Sequence, residues 1–103
     1  MDEGRIAAVG ASEEIEKQAA PGTPTIDLGT ACLTPGLIDG HTHLGLPGNG
    51  RPYREYFRDS DEMMVCIGAD NMLKHLKSGV TTLREHGARN RVGFTLKEGL
   101  RRG

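Results

Sequence analysis

Apolar and polar residues alternate in distinct rhythms along this chain, and each change of rhythm predicts an element. Arg5-Ile6-Ala7-Ala8-Val9 is a short apolar-rich run closed by Gly10, and Ile26 to Leu33 is a second one interrupted at Gly29. Both predict strands. Between them, Ser12-Glu13-Glu14-Ile15-Glu16-Lys17 predicts a short solvated helical turn, capped by Ser12 and ended before the Pro21-Gly22-Thr23-Pro24 breaker. Pro35-Gly36 punctuates the chain again, and Leu37 to Leu44 follows as a predicted buried strand. The next run, "LGLPGNGRPYREYFRD", holds too many prolines and glycines for a regular element and predicts a loop. Beyond it the period lengthens. Val65, Ala69, Met72, Leu73 and Leu76 recur at helical spacing, with Asp59 and Glu62 in a capping-box-like start and Ser78-Gly79 as the stop. Met63, Met64 and Met72 are expected to fill core gaps, and His75 to face solvent beside Lys74 and Lys77. Gly79 to Arg84 predicts a second strand and Phe94 to Leu100 a further helix. Strand, helix and strand in this order predict a right-handed parallel βαβ unit.

The first strand of that unit carries the chemistry. Side chains on a strand alternate between faces, so Leu37, Asp39, His41 and His43 are expected on one face, with Ile38, Gly40, Thr42 and Leu44 on the other. Two imidazoles one residue apart are thereby delivered to one point, which is a metal-site layout. The pair is incomplete by itself, because a catalytic zinc site takes three or more protein ligands plus an open position, and two histidines hold a transition metal weakly. Asp39 reads either as a carboxylate that orients the ligands or as one satisfied by backbone or a neighbouring base. His86, with Glu85 at the end of the second strand, is the other histidine expected near the pair. One reading of it is a supporting or substrate-facing role. Arg51, Tyr53, Arg54 and Tyr56 in the loop are candidates to meet an anionic or aromatic group, against the plainer reading of solvated loop residues.

Three segments in order, "GRIAAVG", "LTPGLIDGHTHLGL" and "GVTTLRE", resemble the opening of a metal-dependent amidohydrolase of the composite-domain type, of the imidazolonepropionase- and prolidase-like kind. The resemblance runs from about Gly4 to Glu85. It implies an α/β fold: a (β/α)8 TIM barrel, represented by its first two βα units from residue 36 to 103, preceded over residues 1 to 35 by strands of a small β-sandwich. It also implies that His41 and His43 ligate one or two divalent metal ions, most often zinc. The family's other ligands are a lysine or glutamate, two further histidines and an aspartate on later strands. Nothing in this sequence matches them, so no catalytic residue is assigned. The reaction implied is hydrolysis of a carbon–nitrogen bond in a small amide or cyclic amide by metal-bound hydroxide, in a parent enzyme that can be homo-oligomeric.

Length changes that picture. A (β/α)8 barrel takes about 250 residues, and this chain has 103. The sequence is therefore read as an amino-terminal portion, inactive alone, rather than as a complete small domain. Charge changes little: 13 Lys plus Arg against 14 Asp plus Glu, with 4% aromatic residues, excludes the basic excess or stacking surface of a nucleic-acid binder. The acidic start, Met1-Asp2-Glu3, and the lack of a long apolar run predict neither a secretory signal nor a membrane span, leaving a cytoplasmic setting as the default. Cys32 and Cys66 lack the spacing of a redox or zinc motif and are expected to be buried. The alternative from a different class is a non-catalytic fragment or interaction module with at most a weak metal site. Simpler deoxyribonuclease-like barrels that share a His-x-His fit less well, because they lack the sandwich strands before Pro35.

Overall fold

A computed structural model describes residues 3–103, and the chain divides into two units, the first ending at Leu33 and the second Thr34–Gly103. In the first unit the regular element among the described residues is helix α1, Ser12–Gln18. Glu13 and Glu14 in its first turn and Lys17 in its last complement the helix dipole. Ser12 is not its cap. Ala11 takes the N-cap position with extended backbone and no side-chain hydrogen bond, so the serine hydroxyl falls inside the first turn. The two expected strands are not formed here: beyond an isolated bridge at Arg5, residues 5–9 and 26–33 are irregular among the described residues. Their apolar side chains are exposed, Val9 at 87% and Ile26 at 83%. A strand gains its hydrogen bonds and apolar cover from partners, and beyond the bridge at Arg5 these segments show no ladder among the described residues.

The second unit is built on a parallel pair of strands. Strand β1, Leu37–Thr42, lies beside β2, Val80–Glu85, and the connection between them holds a one-turn helix α2, Tyr53–Tyr56, and the long helix α3, Asp61–Lys77. Helix α4, Val92–Arg102, follows β2. Parallel neighbours need such a crossover, and the predicted strand-helix-strand order is what the structure shows. Helix α3 starts one residue later than the pattern suggests. Ser60, not Asp59, is its N-cap and accepts a hydrogen bond from the Met63 amide at 3.3 Å. Its end is as expected: Gly79, at φ +88°, takes the left-handed conformation after Ser78 that stops the helix.

Leu44, Met64, Val92 and Leu96 form the core, with Val65, Met72, Leu83 and Ala88 packed against it. The buried stripe of α3 is Met64, Gly68 and Asn71, at spacings of four and three. That corrects the predicted stripe, since Ala69, Leu73 and Leu76 are exposed, as is Met63. Gly68 explains the rotation: a Cβ there would sit 2.5 Å from Leu96, so the glycine lets α4 approach α3 closely on this side. The strand β1 is not buried either, Leu37 and Ile38 being 58% and 75% exposed. Only one face of a two-stranded sheet is covered here, by helices. Cys32 and Cys66 are both exposed, against expectation; Cys32 lies in the irregular stretch and Cys66 on the outer side of α3. No helix among the described residues is long and apolar enough to cross a membrane.

Candidate functional site

The carboxyl ends of β1 and β2 bring three imidazoles together. His41 lies in β1 and His43 one residue past its last residue, Thr42. Their ring centroids are 5.1 Å apart, with the planes at 71°. Both side chains are exposed while Thr42 between them is 4% exposed, which is the alternation the strand dictates. Thr42 Oγ1 donates to the Arg84 carbonyl at 3.1 Å, and the Thr42 carbonyl accepts from the His86 amide at 2.8 Å. The residue between the two histidines is thus bonded to β2 through both side chain and backbone.

Past His43 the chain is held at consecutive points. The Leu44 amide donates to the Glu85 carboxylate, and the Leu44 carbonyl accepts from Asn71 Nδ2 at 2.8 Å. The same Asn71 amide donates to the Leu46 carbonyl at 3.0 Å, and the Leu46 amide closes a turn onto the His43 carbonyl at 3.0 Å. Asn71, 7% exposed, lies on the buried face of α3. Its work escaped the sequence reading. The available signal was a polar residue three positions after Gly68, where a helix-spaced apolar residue would fit as well. Buried carbonyls need partners, and an asparagine side chain supplies two N–H donors to meet two of them.

His86 stacks on His41, with centroids 4.2 Å apart and planes at 17°. Gly87 then turns the chain at φ +91°, and a Cβ there would lie 3.8 Å from the His43 ring. Asp39 does not join this group. Register shifts in the β1–β2 ladder break the strict alternation before Thr42, so parity counted along β1 does not carry Asp39 to the histidines. One oxygen of its carboxylate accepts from the His41 amide at 3.0 Å, and the other lies 3.7 Å from His75 Nε2 on α3. His75 is correspondingly half-buried, its Nδ1 bonded to the Asn71 carbonyl at 2.9 Å, and does not simply face solvent.

The loop residues divide. Tyr56 is buried and its hydroxyl donates to Asn49 Oδ1 at 3.0 Å, with the Arg51 guanidinium 5.8 Å from its ring centre. Arg51 also pairs with Glu55 at 3.3 Å. Tyr53 packs edge-on against Phe57, with centroids 4.9 Å apart, and Arg54 is exposed. The structure therefore gives Arg51 and Tyr56 a role within the loop itself. A second contact missed by sequence reasoning ties the two strand-end loops together. Arg89 donates to Asp61 at 2.8 Å, to the Phe57 carbonyl at 3.0 Å and to the Asp59 carbonyl, while Asn90 donates to the other Asp61 oxygen at 2.9 Å. The Asn90 amide and the Arg89 guanidinium hold the Asp61 carboxyl below its ordinary value of 3.8.

Among the described residues no group of three His, Cys, Asp or Glu side chains is placed to hold a metal ion. What the site offers is two exposed imidazoles converging from one strand end, a donor set that suits a borderline divalent ion as part of a larger ligand shell. An open cleft of about 540 Å³, lined by Leu83, Phe94, Lys97 and Leu100 among others, does not include either residue of the pair.

The amidohydrolase family profile matches residues 32–101, which takes in both strands, the histidine pair and all but the last residue of α4. The chain belongs to the amidohydrolase family. It is 30% identical over 125 residues to an imidazolonepropionase of Fusobacterium nucleatum, an alignment covering 98% of this chain and 30% of that protein. To the imidazolonepropionase of Vibrio parahaemolyticus it is 31% identical over 130 residues, covering 95% of this chain and 30% of the relative. A D-hydantoinase of Streptomyces coelicolor is 30% identical over 100 residues, or 97% of this chain and 19% of that protein. The chain thus spans about a third of the length of the two imidazolonepropionases. No solved structure matches it.

Proposed function

We propose that this chain forms the opening of a metal-dependent hydrolase acting on carbon–nitrogen bonds of small cyclic amides. The observation that carries the proposal is the convergence of His41 and His43, centroids 5.1 Å apart, at the strand end of an amidohydrolase-family segment. In this reading β1 and β2 are the first two strands of a (β/α)8 barrel, and residues 1–35 belong to a small β-sandwich. Functional groups of such barrels cluster at the carboxyl ends of strands, where these imidazoles lie. His41 and His43 would hold a divalent ion, zinc by preference of imidazole donors, with the remaining ligands supplied from later strands. Bound there, the ion supplies Lewis-acid polarisation of a substrate carbonyl and lowers the pKa of a coordinated water.

The chain's own residues do the positioning. Thr42 ties the strand end to β2, and Glu85 with Asn71 fixes the backbone leaving His43. Arg89 holds the loop after β1 against the loop after β2, at the rim of the site. The names of the relatives, imidazolonepropionase and D-hydantoinase, point to substrates with a ring amide. Two imidazoles alone hold a transition metal weakly, so the hydrolase reading belongs to the longer polypeptide and not to these residues alone. We place it in the cytoplasm.

The test uses the natural polypeptide that carries this chain. Metal content and hydrolysis of imidazolone and hydantoin rings are measured for the wild type, His41→Ala and His43→Ala. Both variants are expected to lose bound metal and to turn over at less than about one hundredth of the wild-type rate, a large share of what metal-assisted chemistry contributes. Full metal content and turnover in either variant would sink the ligand assignment.

A further inference from the structure

We propose that His86 is a positioning residue for His41, its ring stacked on the His41 imidazole so that the plane of that ligand stays fixed. The proposal rests on the reading of His41 and His43 as a metal pair. An imidazole donates through a lone pair lying in the ring plane, so rotation of the ring carries the donor off its target. Ligating histidines are ordinarily steadied by a hydrogen bond from the second ring nitrogen to a carboxylate or carbonyl. Here the carboxylates of Asp39, within β1, and Glu85, at the end of β2, are turned elsewhere. Asp39 meets the His41 backbone amide and the His75 ring, and Glu85 accepts from the Leu44 amide. What lies flat against the His41 ring is His86, at 4.2 Å between centroids and 17° between planes, while His43 meets it edge-on at 5.1 Å.

The stack is anchored. The His86 amide bonds the carbonyl of Thr42, the residue between the two proposed ligands, at 2.8 Å. Gly87 then turns the chain at φ +91°, a conformation that favours glycine. His86 does not complete the ligand set. Two nearly parallel stacked rings direct their in-plane lone pairs along parallel planes, and such rings do not converge on one ion. His41 and His43, at 71°, do not share that restriction. His86 therefore acts through His41, by aromatic contact, and a planar aromatic replacement should preserve its effect.

The experiment compares His86→Ala and His86→Phe in the natural polypeptide carrying this chain, with cobalt(II) as the metal probe. His86→Ala is expected to bind cobalt about tenfold more weakly, the low end for a residue that supports a ligand, and to shift the cobalt absorption band. His86→Phe is expected to keep both. In the metal-free protein, ring-proton resonances of His41 should move downfield in His86→Ala, as shielding by the stacked ring is lost, and stay near their wild-type positions in His86→Phe. Unchanged His41 resonances and cobalt binding in His86→Ala overturn the proposal. So does a His86→Phe variant as weak as His86→Ala, which would assign the effect to a nitrogen of His86. Should His41→Ala and His43→Ala bind cobalt as tightly as the wild type, the metal pair itself falls, and the positioning role with it.

Discussion

Met1–Leu33 and Thr34–Gly103 both contain apolar runs bounded by glycine and proline, yet only one of them builds a core. In the first unit Ile6, Val9, Ile26, Leu28 and Leu33 are all more than half exposed. In the second, Leu44, Met64, Val92 and Leu96 are each 5% exposed or less. The difference lies in where partners come from. The second unit carries its own cover, because one crossover helix delivers a parallel strand and a packing face together. The apolar runs of the first unit meet no such covering face among the described residues, and apolar content without a partner surface buries nothing.

Truncating the two regions alike should separate them most. Leu96→Ala is expected to destabilise the folded chain by about 2–5 kcal/mol, as cavity-forming core substitutions do, whereas Val9→Ala, at an exposed site, should stay within about 0.5 kcal/mol. Urea unfolding of each variant measures both. Equal shifts in midpoint would erase the contrast between the two units.

A smaller effect is expected from the polar side of the second unit. Asn71→Ala leaves the Leu44 and Leu46 carbonyls without their donor. Burial of unpaired polar groups costs about 1–3 kcal/mol, and amide exchange should quicken between residues 44 and 47 before it does in α4. Exchange that rises evenly over the whole unit would show that Asn71 pins nothing local.

The loop clamp offers a pH test. Asn90 and Arg89 depress the Asp61 carboxyl below its ordinary 3.8. A carboxyl with a lowered folded-state value contributes fully above its unfolded value and loses that contribution as pH falls through the folded one. The segment from Phe57 to Asp61 should therefore become more open to proteolysis only below about pH 3.8. Arg89→Ala should open it at neutral pH. A clamp indifferent to both acid and Arg89→Ala would remove it as a link between the two loops.

The smallest effect is expected at the end of α4, where Arg101 and Arg102 lower the Glu98 carboxyl to about 2. These are exposed i,i+3 and i,i+4 pairs. By the same sign rule their contribution is present above the ordinary 4.5 and lost as pH falls toward 2. Glu98→Gln should fray the last turn, read by amide exchange at Arg101 and Arg102, and leave the core's urea midpoint unmoved. A moved midpoint would contradict the surface role.

Legibility from sequence followed the range of the interaction. His41 and His43 were readable as a pair because a two-residue period needs only the intervening Thr42 to turn away. The same count misplaced Asp39, because shifts in a ladder formed with residues more than forty positions on reset its side. The stop of α3 was readable in Ser78-Gly79, and its buried face was not, since Ala69, Leu73 and Leu76 share the helix spacing of Met64 and Gly68. Cys66 was misjudged for the same reason. Asn71 and Arg89 look like ordinary polar residues until the carbonyls they serve are brought beside them.

By itself, then, the sequence determined the order of strand, helix, strand and helix from Leu37 onwards, the helix stop at Gly79 and the alternation that sends two imidazoles one way. Those are properties of contiguous residues, set by backbone period and turn chemistry. The tertiary structure alone decided which face of α3 packs, the stack of His86 on His41, and the anchoring of the His43 exit by Glu85 and Asn71. Each of these depends on the parallel register between β1 and β2 and on the rotation of a helix over them, and no local pattern encodes either.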